Sequence, residues 1–578
     1  MSKSSRRRLA SSYRALTLAF AASSAGVVLW SCAAWDRAET SSTSEPSGTE
    51  RVAVEESDDQ PAVSADTIAA PSPAPAPPGE LVGAAAEAVS PSKMAQSRRS
   101  GRAKLASGAG TFAPPANYQA GENYAKVREN QMVQASEDNR TTFSLDVDTA
   151  SYTIMRRDLT NGRLPVPDSV RVEEYINFFD YDDEPPSGAD DAPFATHLES
   201  APSPFGEGRY LLRVGVQAME VPADQRPAAN LVFLIDVSGS MSAPNKLGLV
   251  QFALSTLVNT LRPDDTIGIV VYAGREAVVL EPTAVSQRGA ILSAIETLEA
   301  GGSTNGEAGI RTAYDLATRH FRTGGINRVI LCTDGDFNVG LTGDALIRLV
   351  EQYRERGVTL TTLGFGMGNY NDHHMEQLAD RGNGNYAYID SRNEALRLLG
   401  RDLGGTLQVI AKDVKVQVIF NTDAVARFRL IGYENRVLAH QDFENDAIDA
   451  AEIGSGQFVT AYIEYELREG VPAGVDPRQL AQVRIRYKAP DGDRSMELDR
   501  SINVEQVRQS FEQASPVFRF GAGVAEFAEI LRHSEHSQGA RFDDVQRILR
   551  GASWSGSSDA GELIELVSMA QRLWSQQG

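Results

Sequence analysis

Asp236, Ser238 and Ser240 alternate along Asp236-Val237-Ser238-Gly239-Ser240-Met241, directly after the apolar run Leu231-Val232-Phe233-Leu234-Ile235. Such a run, followed by a Gly/Ser loop, predicts a buried parallel strand ending in a tight turn. Carboxylate and hydroxyl oxygens at alternate loop positions can converge on one point. An all-oxygen shell suits a hard divalent cation: Mg²⁺, which keeps several waters in octahedral geometry, or Mn²⁺ or Ca²⁺. Thr304, after the glycine turn Gly301-Gly302-Ser303, and Asp334, after the apolar run Val329-Ile330-Leu331-Cys332-Thr333, offer two more oxygens. Strand ends meeting at one edge of a parallel sheet are where such folds place ligands. The plainer reading of Asp236 and Ser238 is a turn and a cap.

The elements that must position these residues alternate strand and helix from 229 to 408. Strands are expected at Thr266–Tyr272, Arg328–Thr333, Thr359–Gly364 and Asn385–Ile389. Helices are expected at Lys246–Leu261, Arg288–Leu298, Gly306–Phe321, Asp344–Glu355 and Asn393–Leu403. Repeated β-α units imply an α/β doubly wound parallel sheet of Rossmann-like type. Cys332 lies inside an apolar strand and reads as an inert core thiol.

Outside this segment the pattern changes to period two. Leu212, Val214 and Val216 alternate before it. After it come Val414, Val416, Val418 and Phe420, then Val459, Ala461, Ile463, Tyr465 and Leu467, then Val483, Ile485 and Tyr487. These are antiparallel strands with one wet face. They predict a β-sandwich built from 118–228 and 409–514, with the α/β domain inserted into it. Phe143–Asp148 reads as a strand, with Thr149 capping a helix through Thr160 and Asp168 or Ser169 capping a second. Residues 515–578 turn helical, with apolar stripes that read as core: Val524, Phe527, Ile530 and Leu531, then Leu563, Leu566, Val567 and Ala570.

The N-terminus reads as an export signal. Lys3, Arg6, Arg7, Arg8 and Arg14 precede an uncharged stretch from Ala15 to Ser31. Leu29-Trp30-Ser31-Cys32 resembles a bacterial lipobox, which implies cleavage after residue 31 and lipidation of Cys32. Residues 32–117 are Ala, Pro and Ser rich, with Pro71-Ser72-Pro73-Ala74-Pro75-Ala76-Pro77-Pro78 as a polyproline-like piece. This composition predicts a disordered tether. A net charge of −21 over 578 residues argues against nucleic acid as a partner. Two cysteines allow no disulfide framework. An exported, membrane-anchored lipoprotein follows, periplasmic or at the cell surface, with the outer membrane favoured because Ala33 follows the cysteine.

The Asp236 loop, Thr304 and the Thr333-Asp334-Gly335 element resemble, in order, the metal-ion-dependent adhesion site of von Willebrand factor A domains. Three further stretches widen the resemblance: Asp146-Val147-Asp148-Thr149-Ala150-Ser151-Tyr152, Val172-Glu173-Glu174-Tyr175-Ile176-Asn177-Phe178-Phe179, and Gly364-Phe365-Gly366-Met367-Gly368-Asn369-Tyr370-Asn371-Asp372. With them the chain resembles bacterial exported von Willebrand factor A proteins loosely labelled calcium-activated chloride channel-like. That family has an N-terminal accessory domain, the A domain and a C-terminal domain of unknown function. The resemblance implies that Asp236, Ser238, Ser240, Thr304 and Asp334 hold the ion. It also implies a partner protein whose Asp or Glu completes the shell. The expected function is thus non-enzymatic, metal-dependent protein binding in the cell envelope. The alternatives are a metal-dependent hydrolase, with Glu307, Asp336 or His373-His374 as general base, and a metal-stabilised scaffold.

Overall fold

The computed structural model describes residues 122–577 apart from 127, 146, 187–191, 304–305, 336–342, 368–369, 403–404, 406, 449 and 553–558. The chain divides into a segment of residues 1–109 and a unit of residues 110–578. All described residues belong to the second. The expected signal, Cys32 and the whole of the expected tether lie outside the described residues, as do Asp146, Thr304 and Asp336.

The unit begins with β1 (Val133–Gln134) and β2 (Arg140–Ser144), the helices α1 (Ala150–Thr160) and α2 (Val172–Ile176), then β3 (Phe194–Pro202) and β4 (Arg209–Ala218). Strand β2 ends at Ser144, short of the expected Asp148. Thr149 makes no side-chain cap to α1. Its hydroxyl instead accepts from Arg397 Nη2 at 3.2 Å. Residues Pro167–Ser169 form a 3₁₀ turn, and α2 starts after Arg171 without a side-chain cap. Both sequence expectations assumed local capping, whereas tertiary contacts hold these helix starts.

The inserted domain runs β5 (Ala229–Asp236), α3 (Leu247–Thr260), β6 (Thr266–Tyr272), β7 (Glu276–Ala284), α4 (Arg288–Glu296), α5 (Gly306–Arg319), β8 (Ile326–Thr333), α6 (Asp344–Arg354), β9 (Thr359–Phe365), α7 (Asp372–Arg381), β10 (Tyr386–Ile389) and α8 (Arg392–Leu396). Its six strands lie in the order β10-β9-β8-β5-β6-β7. All pairs are parallel except β6 with the edge strand β7. Every residue of β5 is buried, because β6 and β8 flank it and helices cover both faces. Helix α3 turns Leu247, Val250, Leu254, Leu257 and Val258 into the sheet at helical spacing.

After the insertion come β11 (Val409–Phe420), β12 (Val425–Ile431), β13 (Ala451–Gly454), β14 (Phe458–Leu467), β15 (Gln479–Lys488) and β16 (Ser495–Asn503). One antiparallel sheet has the order β1-β12-β14-β4-β3. The other runs β13-β11-β15-β16, with β2 also pairing β11. Leu212, Val214 and Ile463 from the first sheet meet Val416, Val418 and Val483 from the second in one core. Strands before and after the insertion therefore share both sheets.

Helices α9 (Pro516–Leu531), α10 (Phe542–Gly551) and α11 (Asp559–Gln577) complete the chain. They do not form a separate core. Tyr152, Tyr175 and Phe179 from the N-terminal helical region pack with Phe520 and Phe527 of α9. Tyr152 stands edge-on to Tyr175 and stacks on Phe178 at 3.8 Å between centroids. A buried ion network ties the sandwich to α9: Arg429 bonds Glu529 at 2.9 and 3.0 Å and Glu464 at 2.8 Å, and Arg532 bonds Glu434 at 2.7 Å.

Glu376 on α7 sits at the junction of the inserted domain and the sandwich. Its carboxylate accepts from Asn435 at 2.7 Å and from Arg436 at 3.4 Å. Burial pushes its pKa from 4.5 up to about 8, against the pull of Arg171 and Arg436. The folded state thus keeps a proton that the unfolded state releases. The resulting stability is complete below about pH 4.5 and is lost progressively as pH rises to about 8. Glu376→Gln should remove this slope, so that its stability advantage over wild type grows by up to about 1.4 kcal/mol per pH unit across that window. Thermal unfolding at pH 5 and pH 8 checks this, and an equal difference at both would contradict it.

Candidate metal centre

Asp236 ends β5 opposite Tyr272 of β6. Asp334 follows Thr333 at the end of the neighbouring β8. Strand order reverses direction at β5, and the crevice outside strand ends at such a point is a natural ligand site.

The Asp236 side chain is completely buried. A carboxylate there must be matched by donors. Its Oδ1 accepts the Ser238 backbone N–H at 2.8 Å, and its Oδ2 accepts the Tyr272 hydroxyl at 3.1 Å and the Thr333 hydroxyl at 3.2 Å. Burial nevertheless pushes its pKa up to about 6, with Ser238 pulling it down and the charge of Asp334 adding to the rise. Ser238 and Ser240 place their hydroxyl oxygens 2.9 Å apart. Ser240 faces solvent, while Ser238 and Asp334 are almost fully buried. Lys246 donates to Asp334 Oδ2 at 2.8 Å.

The glycine turn is laced to this loop. Gly301 N–H donates to Val237 O at 2.7 Å, and Gly239 N–H to Gly302 O at 3.0 Å. Gly302 has φ +89°, which favours glycine. The structure therefore brings Asp236, Ser238, Ser240 and Asp334 to one edge, with Ser303 two residues from the laced Gly301. Thr304 lies outside the described residues. The donors form an all-oxygen set with a solvent-facing side, which fits a hard divalent ion that keeps waters. Among the described residues, another group close enough to hold an ion is Glu129, Glu535 and His536. Protein groups already engage all three: Ser534 donates to Glu129, Gln131 to Glu535, and His536 Nε2 lies 3.1 Å from Asn130 O.

Residues 230–401 match the von Willebrand factor type A domain. Residues 118–213 match a family described as von Willebrand factor, and 405–573 match the C-terminal domain of the uncharacterized protein YfbK. YfbK of Escherichia coli strain K12 is 40% identical over 471 residues, spanning 77% of this chain and 80% of that one. The chain belongs to the YfbK family. The uncharacterized Synechocystis protein sll0103 is 31% identical over 185 residues, 32% of this chain and 43% of its own. A solved von Willebrand factor type A protein from Catenulispora acidiphila aligns over 65% of this chain and 88% of its own, with 16% identity and a TM-score of 0.37. In this member of the YfbK family the inserted domain is a von Willebrand factor A fold carried by a sheet-rich protein.

Tyr272, which closes a strand run, and Lys246, which opens a helix, carried no signal of the site in the sequence, because their partner carboxylates are remote in the chain. Thr333 was legible as part of the Thr333-Asp334-Gly335 element, but its hydrogen bond to Asp236 was not. The alternative general bases are placed otherwise. Glu307 pairs with Arg311 at 3.1 Å. His373 and His374 open α7, where Asn371 caps the His374 N–H.

Gly335 shapes the floor behind Asp334. It has φ +88°, and a Cβ there would lie 2.8 Å from both Asn371 N and Tyr370 Cδ2. Tyr370 in turn shares a 2.6 Å hydroxyl contact with Tyr386, which donates to Asp372 at 2.5 Å. Gly324 has φ +70° but open space around its Cβ position. Gly324→Ala should cost only the dihedral strain, about 1–3 kcal/mol. Gly335→Ala should cost clearly more, because the clash adds to that strain. Denaturant unfolding of both variants decides, and equal losses would refute the packing argument.

Proposed function

We propose that this protein is a non-enzymatic, divalent-metal-dependent protein-binding lipoprotein of the bacterial cell envelope. The observation that carries the reading is the oxygen set of Asp236, Ser238, Ser240 and Asp334 gathered at the sheet's switch point with one side open. Asp236 and Asp334 supply the negative charge, Ser238 and Ser240 supply neutral oxygens, and Thr304 joins them by its place in the motif. Mg²⁺ is the expected ion, with Mn²⁺ or Ca²⁺ as substitutes. Once bound, the ion would polarise and hold a carboxylate from outside. A partner's Asp or Glu then completes the shell, which makes the contact strong and metal-dependent. The roles of Glu307 and His373-His374 in helix starts and ion pairing support binding over hydrolysis.

Titrating Mg²⁺ and Mn²⁺ into the full-length protein by calorimetry tests the metal. Saturable binding is expected, weakened more than about a hundredfold by Asp236→Ala. Binding that survives in that variant would sink the assignment. For the anchor, the N-terminal signal and Cys32 support lipidation. Cys32→Ala should move the protein from the membrane fraction to the soluble one, and unchanged fractionation would rule out the lipid anchor.

A further inference from the structure

Lys246 is built into the site rather than placed near it by chance. Its carbonyl accepts the Leu249 and Val250 N–H groups, each at 2.9 Å, so its backbone is locked at the start of α3. Its own dihedrals, φ −117° and ψ −103°, lie outside the helical region and set the side chain apart from the helix. The aliphatic stem crosses the place where Gly366 has no side chain. A Cβ on Gly366 would lie 2.5 Å from Lys246 Cγ and 2.9 Å from Cδ. Gly366 itself has φ +77°. The ammonium then meets Asp334 Oδ2, with only 12% of the side chain exposed. Two loops and a helix start are thus shaped around one lysine.

We propose that Lys246 is a resident cation that sets the charge, and hence the selectivity, of the metal centre. The inference rests on the metal-binding reading above. Two carboxylates would balance a divalent ion and leave a neutral centre, indifferent to whether the last ligand is charged. With Lys246 the loaded centre keeps one net positive charge. That charge costs metal affinity, because a fixed ammonium repels the incoming ion and competes for Asp334. It also favours an anion over a neutral oxygen donor at the open position. The ligand class selected is therefore a carboxylate, and an amide or hydroxyl group is disfavoured. The lysine also holds Asp334 in place when no ion is present.

The test uses Mn²⁺ as a spectroscopic probe on the full-length protein and on Lys246→Met, Lys246→Gln and Lys246→Arg. Removing the charge should tighten Mn²⁺ binding by about tenfold or more in the Met and Gln variants. Lys246→Arg should keep the wild-type affinity. Acetate should perturb the bound-Mn²⁺ signal of wild type at lower concentration than its neutral analogue acetamide. That preference should shrink in the Met and Gln variants. Unchanged or weaker Mn²⁺ binding in Lys246→Gln, with its unfolding transition intact, overturns the proposal. So does an Arg variant that behaves like the Met variant, since shape rather than charge would then matter. If wild type and all variants bind no Mn²⁺, the metal reading itself fails. If wild type binds and charge removal changes nothing, only the role of Lys246 fails.

Discussion

A carboxylate that leaves water must find donors, and the burial of Asp236 organises the inserted domain around that need. Its three donors come from its own loop, from the end of β6 and from the end of β8. They converge only if β5 lies between those two strands in parallel register. The sheet order and the carboxylate environment are therefore one constraint. Full burial of β5 on both faces supplies the apolar side of the same arrangement.

The metal centre is coupled to the rest of the molecule through packed polar groups. Gly335 rests on Tyr370, Tyr370 meets Tyr386, and Tyr386 bonds Asp372. Asp372 is held by Arg171, which precedes α2 of the N-terminal region. The backbone N–H of Asn123 also donates to Tyr370 O at 3.0 Å. The floor of the site is thus shared with residues that sit over a hundred positions earlier in the chain. Buried ion pairs are poor sources of net stability but penalise every alternative arrangement that leaves a charge unpaired. Arg171 and Arg429 both fit that description, and both join parts of the chain that are far apart in sequence.

The chain is interleaved rather than modular. Strands before the insertion complete sheets whose other strands follow it. The N-terminal helices α1 and α2 finish the core of the C-terminal helices. Ala150 and Ile154 of α1 also reach the core of the inserted domain. One short helix thereby touches two cores, which accounts for its nearly complete burial despite a polar sequence with two arginines and an aspartate. Those charges are paired: Arg156 with Asp390 and Glu394, and Arg157 with Glu122 and Asp158.

Periodicity, a local quantity, determined which segments are strands and helices and where the oxygen donors cluster. Apolar runs ending in Asp236 and near Asp334 carry the β-α order of the inserted domain, and period-two alternation carries the sandwich. Short or polar pieces were illegible for the same reason. Strand β7, largely exposed at an edge, has no strong apolar signal. The starts of α1 and α2 looked like capped ends, at Thr149 and at Asp168 or Ser169, because capping is the local solution, but long-range partners hold them instead. Tertiary structure alone decided that Tyr272, Thr333 and Lys246 face the site carboxylates. It alone decided that helices from the two ends of the chain share one core. Those facts depend on strand order and side-chain reach between residues far apart in sequence, and no sequence window contains both partners.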